Sequence, residues 1–351
     1  MKKTVALIFG GEGYEHEISL KSAASLSKMI DRKRYSVLFV GISKKGDWYI
    51  YNGTEDKIDS GEWLFDKNLL TPTFPVKIRD VSGFLQDGCV IPVSAAIPCL
   101  HGDFGEDGVI QGALRSAHIA FVGEDVYSSA VTSDKSYTKL IAEKLLIPTA
   151  KWILTTDEDC AGAKERAEKT VGYPMFIKPA RLGSSYGASP VYTEDGFENA
   201  FNNAKSYEKR LIIEEFIPAD YELECAVLNT DKRYVLPFGR ILSHGSFYDF
   251  SSKYKGENSP KTEAKSNADR EVEQKIREYA EQLADFIGIR HLSRIDFFVT
   301  EEKKIYFNEI NAFPGMTQTS LYPVLTELSG LSKGDFINLL IEKANSYDRH
   351  I

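Results

Sequence analysis

Asp296 and Glu309 stand where this sequence points most directly to chemistry. They lie in two short apolar runs, Arg294-Ile295-Asp296-Phe297-Phe298-Val299 and Ile305-Tyr306-Phe307-Asn308-Glu309-Ile310-Asn311, joined by a polar turn over 301–304. A hairpin centred between Glu302 and Lys303 sets Asp296 opposite Glu309, Arg294 opposite Asn311 and Phe298 opposite Phe307. Side chains alternate along a strand, so all four polar residues leave one face. Facing carboxylates repel and weaken a hairpin. A hard divalent cation such as Mg²⁺ reverses that sign, because Asp, Glu and an Asn carbonyl are the oxygen ligands it takes. The alternative is a solvated acidic face on which Arg294 neutralises Asp296; the crowding of apolar residues weighs against it.

Three further stretches could handle an anion or a nucleotide. Lys178-Pro179-Ala180-Arg181-Leu182-Gly183-Ser184-Ser185-Tyr186-Gly187 follows an apolar strand. Glycines let backbone amides approach a polyphosphate, serines add donors and the lysine adds charge. No Gly-Lys-Ser/Thr closes the loop, so it is not a Walker A motif, and a plain turn remains the alternative. Ile212-Ile213-Glu214-Glu215-Phe216-Ile217, followed by Glu222, can clamp a purine against an apolar strand edge and offer Glu222 to ribose hydroxyls; equally it can be a core strand with exposed glutamates. The long polar segment 243–269 begins with Phe247-Tyr248-Asp249-Phe250 and carries Lys253 and Tyr254. Segments of that length are usually functional lids or mobile insertions. The Gly10-Gly11-Glu12-Gly13 turn lacks the third glycine of a dinucleotide fingerprint.

The elements that must position these residues are legible from periodicity. Strands over 4–9, 35–42 and 95–100 alternate with helices over 15–30 and 109–116, which predicts a parallel sheet covered on both faces. Residues 44–93 are polar and rich in turn formers and read as a surface excursion. A helix over 133–146 ends at Pro148, which biases its predecessor toward extended geometry. Strand 175–178 and a helix over 194–205 follow. From 211 the pattern is strand-rich, over 211–216, 222–229, 234–241, 293–300 and 305–311, interrupted by one helix over 268–287. Domain edges fall near 134 and 213, giving units 1–134, 135–213 and 214–351.

The net charge of −8 argues against nucleic acid or an anionic membrane as the main partner. Cys89, Cys99, Cys160 and Cys225 are too scattered for a metal site and read as reduced thiols. The apolar run after Met1 is too short for a signal peptide, and no stretch is long enough to span a bilayer. The expected location is the cytoplasm.

Taken in order, these pieces resemble the D-alanine–D-alanine ligases of the ATP-grasp superfamily. The carrying stretches are FGGEGYEHEISL (9–20), LHGDFGEDGVIQG (100–112), KPARLGSSYG (178–187), FYDFSSKY (247–254), Arg294–Asp296 and NEINAFPGMTQTSL (308–321). The resemblance implies an ATP-grasp fold, α/β and α+β, with an N-terminal parallel α/β domain and two further α+β domains clamping ATP. It implies that ATP phosphorylates the carboxylate of one D-alanine and that the amine of a second attacks the acyl phosphate. Lys135, Lys178 and Lys253 would then hold phosphates, with Ser184 and Ser185 in the phosphate loop. Asp296, Glu309 and Asn311 would hold two Mg²⁺, or Mn²⁺ in their place. Glu214, Glu215, Ile217 and Glu222 would hold adenosine. Glu15 would receive the first ammonium and His101 would lie near the first carboxylate. Arg294 and the Gly315 amide would stabilise the oxyanion, and Ser320 and Leu321 would contact the second amino acid. Ser184 and Tyr254 would join the lid to Glu15. The expected partners are ATP and D-alanine, with neither nucleic acid nor membrane, and the expected assembly is a homodimer.

Two stretches depart from the family's usual pattern. The lid continues as GENSPKTEAKSN (256–267) rather than an apolar run ending in Pro-Ala, and Met316-Thr317-Gln318-Thr319 replaces a commoner Ser-His pair before the serine. Acceptor choice separates relatives: users of D-lactate carry His where this chain has Tyr254, and users of D-serine tend to carry Arg where it has Leu321. Both positions point to D-alanine. Gly46-Asp47-Trp48-Tyr49 is similar to the D-serine ligases of vancomycin-resistance systems, which makes D-serine the second candidate. Another ATP-grasp branch, such as a biotin carboxylase, would share the nucleotide site but not the His101 and Ser320-Leu321 stretches. A non-catalytic nucleotide binder would not need the intact Lys, Asp, Glu and Asn set.

Overall fold

The computed structural model describes residues 2–229, 233–242, 262–317 and 320–347; Lys253, Tyr254 and the rest of 243–261 lie outside the described residues. The chain opens on β1 (Lys3–Gly10), whose last six residues are buried. An unbroken Val-Ala-Leu-Ile-Phe run, without polar alternation, is what a strand covered on both faces needs. Next come α1 (His16–Met29), β2 (Tyr35–Ile42), β3 (Trp48–Tyr51), α2 (Glu55–Asp59), β4 (Leu70–Pro72), β5 (Pro75–Ile78), β6 (Val81–Gln86), β7 (Cys89–Pro92) and β8 (Ala95–Pro98). The first sheet has the order β4-β3-β2-β1-β8. Strand β1 runs parallel to both β2 and β8. With neighbours reached in opposite directions, the loops after β1 and β8 open on a shared crevice, where ligands gather in such sheets. Those loops carry Glu15 and His101.

The stretch 44–93 is not a mere excursion. Strands β3 and β4 extend the first sheet antiparallel to β2, and β5–β7 form a three-stranded sheet of their own. Trp63, between them, is wholly buried against Phe9 and Tyr51. Polar turn residues dominate this segment's composition and hide the few aromatics that anchor it.

The middle of the chain contains α3 (Val109–Ser116), α4 (Val126–Ser133), α5 (Lys135–Lys144), β9 (Trp152–Thr156), α6 (Cys160–Thr170), β10 (Met175–Pro179), β11 (Ser189–Val191), α7 (Phe197–Tyr207) and β12 (Arg210–Glu215). The strands form an antiparallel sheet, β11-β10-β12-β9, the second of the three larger sheets, packed on Phe197, Phe201, Ala163 and Ala167. Strand β12 stays paired with β10 through Glu215, so an edge at 213 lies inside a strand.

The last part holds β13 (Tyr221–Asn229), β14 (Arg233–Leu242), β15 (Thr262–Glu263), α8 (Arg270–Ile287), β16 (Leu292–Val299), β17 (Ile305–Asn311), α9 (Leu321–Leu328) and α10 (Lys333–Tyr347). The sheet order is β15-β14-β13-β16-β17. Helix α8 buries Val272, Ile276, Ala280, Leu283 and Ala284, a stripe at helical spacing, and stops at Gly288, whose left-handed backbone suits a C-terminal cap. Ala142 and Ile147, around the end of α5, join the core of this third sheet. Phe336, Ile337, Leu340 and Ile341 of α10 return to the core beneath the first.

The acidic hairpin has the expected register at its open end, with Arg294 opposite Asn311 and Asp296 opposite Glu309. The expected Phe298–Phe307 pair does not form. Asn308 is an extra residue in β17, and this bulge sets Phe297 opposite Phe307 and Phe298 opposite Tyr306. Phe297 and Phe307 are both buried and meet edge to face, ring centres 6.0 Å apart. The bulge therefore points two phenylalanines into the core while two acids stay on the other face.

Candidate active site

Cross-strand pairing builds the site face of the third sheet as parallel rows. Gly239, Glu224, Asp296 and Glu309 are successive partners across β14, β13, β16 and β17. One step along lie Ile241, Glu222, Phe298 and Tyr306. A charged row thus sits beside a mostly apolar row, on which only Glu222 is ionisable at neutral pH. Glu224, Asp296 and Glu309 of the first row and Ile241, Glu222 and Phe298 of the second line a cleft of about 1440 Å³ that also receives residues from the first and second sheets.

Every expected site residue within the described chain lines this one cleft: Glu15 and His101 from the first sheet's loops, and Lys135 from the start of α5. The second sheet contributes Lys178, Ser184, Ser185, Glu214 and Glu215, and the segment after it Ile217. From the third come Glu222, Arg294, Asp296, Glu309 and Asn311, with Gly315, Ser320 and Leu321 beyond it.

At the acidic hairpin, Arg294 donates from Nε and Nη2 to the two oxygens of Asp296, at 2.8 and 2.7 Å, and its Nη1 lies 3.5 Å from Glu224. Burial alone would lower the Arg294 pKa, but Asp296 and Glu224 outweigh it and hold the guanidinium firmly charged. The Asn311 amide donates to Asp296 at 3.0 Å. Among the described residues no three His, Cys, Asp or Glu side chains gather into a metal cluster. A cation here would draw on the facing carboxylates of Asp296 and Glu309 and on the amide oxygen of Asn311, an all-oxygen set that suits Mg²⁺.

The lysines converge on the same place from the other side. Asp134 caps α5, accepting from Ser136, and is gripped by Arg210 at 2.8 Å. The Lys135 backbone N–H donates to Ala180 and its Nζ to the Leu182 carbonyl at 2.7 Å, with Glu309 3.4 Å away. The helix start is thereby pinned to the phosphate loop. Lys178 donates to Asn308 at 3.3 Å and pairs with Glu214. The other Glu214 oxygen lies 2.8 Å from Lys139. Burial pushes the Glu214 pKa up, yet Lys139 and Lys178 overcome it and bring it to about 2. Burial, with help from Lys178, lowers the pKa of Lys139. The Glu214 carboxylate is therefore an internal anchor for two lysines.

The first-sheet corner is built around Glu15. Ser184 donates to its carboxylate, and both Ser184 and Ser185 hold left-handed backbone, unusual for residues other than glycine. Gly102 comes so close that a Cβ would lie 2.5 Å from a Glu15 oxygen. His101 is buried, its Nε2 3.1 Å from the Ser22 hydroxyl and its Nδ1 3.4 Å from Glu106. Burial would lower the His101 pKa, but Glu106 prevails and raises it. At the opposite end, Ser320 accepts from the Thr317 backbone at 3.1 Å and folds the segment around Gly315.

Lys139, Glu106, Glu224 and Ser22 were not anticipated. Lys139 had a readable signal, since it lies four residues after Lys135 and so shares its helix face. Glu224 stands two residues from Glu222 and so on the same strand face. Ser22 carried no such signal.

Comparison with known proteins agrees with this construction. A family model described as "D-ala D-ala ligase N-terminus" matches residues 4–124, and "D-ala D-ala ligase C-terminus" matches 141–342. The D-alanine–D-alanine ligase of Ruminiclostridium cellulolyticum is 37% identical, over 98% of this chain and 95% of its own. That of Clostridium novyi is 35% identical over 99% of both. Among solved structures, the VanG D-Ala:D-Ser ligase of Enterococcus faecalis superposes with a TM-score of 0.89 at 34% identity, covering 98% of this chain and 100% of that one. The D-alanine–D-alanine ligase of Coxiella burnetii gives 0.86 at 28% identity, covering 99% and 95%. Matched by family models in both its parts and by relatives along nearly its whole length, the chain belongs to the D-alanine–D-alanine ligase family.

Proposed function

We propose that this protein joins two D-alanines into D-alanyl-D-alanine at the expense of ATP, supplying a precursor of the bacterial cell wall. The observation that carries the reading is the meeting, in one cleft, of the Arg294–Asp296–Glu309 hairpin with Lys135 and Lys178 and, at its far corner, of Glu15 with Ser184. A carboxylate oxygen of the first D-alanine attacks the γ-phosphorus, ADP leaves, and an acyl phosphate forms. The second D-alanine's amine then adds to the acyl carbon, its surplus proton departs, and the oxyanion collapses to expel phosphate. Lys135 and Lys178 hold the phosphates, as does Lys253 from outside the described residues. Ser184 and Ser185 add donors. Glu214, Glu215, Ile217 and Glu222 meet adenosine. Glu15 takes the first ammonium, His101 lies by its carboxylate, and Ser184 holds Glu15; Tyr254, outside the described residues, is assigned to the lid. Arg294 and the Gly315 N–H face the oxyanion, where fixed donors are worth most. Ser320 and Leu321 receive the second amino acid.

Family membership implies ATP use with a divalent metal. We assign two Mg²⁺, replaceable by Mn²⁺, to Asp296, Glu309 and Asn311; they would neutralise phosphate charge. We divide the chain into 1–134, 135–215 and 216–351, and place it as a homodimer in the cytoplasm with no nucleic-acid or membrane partner. No helix among the described residues is long and apolar enough to cross a membrane. D-Serine as acceptor is the second reading, favoured by the likeness to the Enterococcus faecalis ligase. The apolar Leu321 weighs against it, because a buried unpaired hydroxyl costs about 1–3 kcal/mol. Phosphate release with D-alanine, D-serine and D-lactate, with products separated by mass, tests the reading. ATP turnover without any dipeptide would overturn it.

A further inference from the structure

The acidic row of the third sheet has a gap at its β14 end. Glu224, Asp296 and Glu309 each carry a side chain toward the cleft, while Gly239, paired with Glu224, carries none. The space is filled from outside the sheet. Leu321, the first residue of α9, sits over Gly239, and a Cβ built there would lie 2.6 Å from Leu321 Cδ1 and 3.3 Å from both Cγ and Cδ2. Real side chains do not approach so closely, so any other residue at 239 must displace Leu321. Gly239 is buried and its φ is not in the left-handed range, so nothing in the backbone itself demands glycine here. Glycine in a strand interior weakens the strand and often marks a close approach by another group. Leu321 is nearly buried and lines the cleft together with Gly315, Ser320 and Arg294.

We infer that Gly239 is a specificity-determining residue that sets the room available to the acceptor amino acid's side chain by seating Leu321 against the sheet. This rests on the reading of Leu321 as an acceptor contact. Gly239 touches no reacting atom; it acts through the position of Leu321. With a methyl at 239, Leu321 is driven off the sheet into the cleft, and the acceptor space narrows while the nucleotide row of Ile241, Glu222 and Phe298 keeps its place.

The test is acceptor kinetics with D-alanine, D-2-aminobutyrate and D-norvaline at saturating ATP. Gly239→Ala should lose efficiency in the order of side-chain length, more than ten-fold for D-norvaline relative to D-alanine, with the KM for ATP changed less than two-fold. Leu321→Ala should widen the range toward the longer acceptors, and Gly239→Ala in that background should leave the acceptor range unchanged, because the leucine it would displace is gone. An equal loss for all acceptors and for ATP would mean a structural role only and overturn the inference. If Gly239→Ala alone does not fold, Leu321→Ala and the double variant decide: identical acceptor profiles are expected, and a narrower range in the double variant overturns the inference. Failure of the parent protein to make any dipeptide would instead overturn the ligase reading.

Discussion

Lys139→Met tests whether the buried Glu214 carboxylate is an anchor for two lysines. Holding Glu214 near 2, against an ordinary 4.5, corresponds to about 3 kcal/mol of preference for the charged form in the folded protein. Lys139 and Lys178 share that work. Removing Lys139 forfeits roughly half, and part is regained because a lysine no longer has to be buried. The net expectation is a loss of about 1 kcal/mol at neutral pH, read as a lower urea midpoint. The sign with pH follows. A depressed carboxylate pKa stabilises above the unfolded value near 4.5, and the benefit disappears as pH falls toward 2. In the variant the folded pKa rises, so acid unfolding begins at higher pH. Glu214→Gln should be worse, by about 3–5 kcal/mol, because it leaves two buried lysines facing each other. ATP affinity provides a second reading, since Lys178 must neutralise Glu214 alone and its phosphate contact weakens. Unchanged urea and acid midpoints in Lys139→Met would refute the reasoning.

Glu309→Gln should reduce turnover at least a hundred-fold while far-UV circular dichroism and the thermal midpoint hold, since a charged cation ligand goes and so does a carboxylate repulsion; near-parental turnover would remove the metal assignment. Leu321→Arg should raise D-Ala-D-Ser relative to D-Ala-D-Ala about ten-fold in competition at equal concentrations, measured by product mass, and an unchanged ratio counts against the acceptor assignment. Glu106→Gln should lower the His101 pKa, visible in an imidazole proton titration. Since Glu106 raises that pKa, the stabilisation it gives is present below the unfolded value near 6.5 and lost as pH rises through the folded one, so the variant should lose stability mainly in acid. An unmoved titration curve would separate His101 from Glu106.

The acid pair was legible because a strand's two-residue period turns spacing directly into facing, and Arg294–Asn311 and Asp296–Glu309 follow from counting alone. The same counting failed at Phe298–Phe307, because a bulge depends on which aromatic the core can accept, information that the hairpin's own residues do not carry. Helices with a clear apolar stripe, such as α8, were readable to within two residues. The segment 44–93 was not, since Trp63 is a single anchor whose partners Phe9 and Tyr51 become neighbours only in the folded sheet. Lys139 illustrates a third limit. An i+4 lysine predicts a shared face, but its partner Glu214 is contributed by a strand 75 positions later, and only the packed structure joins them.

The cleft's charges also explain how a hairpin with opposed carboxylates can be stable before it is useful. Each principal anion is matched by a protein cation: Asp296 by Arg294, Glu309 by Lys135, and Glu214 by Lys139 and Lys178. Under the proposed function, binding ATP with its metal is then an exchange of partners rather than an addition of charge. Lys135 and Lys178 would hold the phosphates, and Glu309 and Asp296 would hold the cations, which would neutralise phosphate charge. Lys139 is 1% exposed and paired with Glu214, so it would keep Glu214 neutralised if Lys178 turned to a phosphate. Arg294 is released from Asp296 by the same exchange, yet stays beside Glu224, close to where the oxyanion would form. Had the pocket held lysines without these carboxylates, the phosphates would bind more tightly but ADP would leave more slowly. The matched pairs keep both the lysines and the opposed acids within a buried, low-dielectric site at tolerable cost, and under the proposed function they would compete with the phosphates for those lysines.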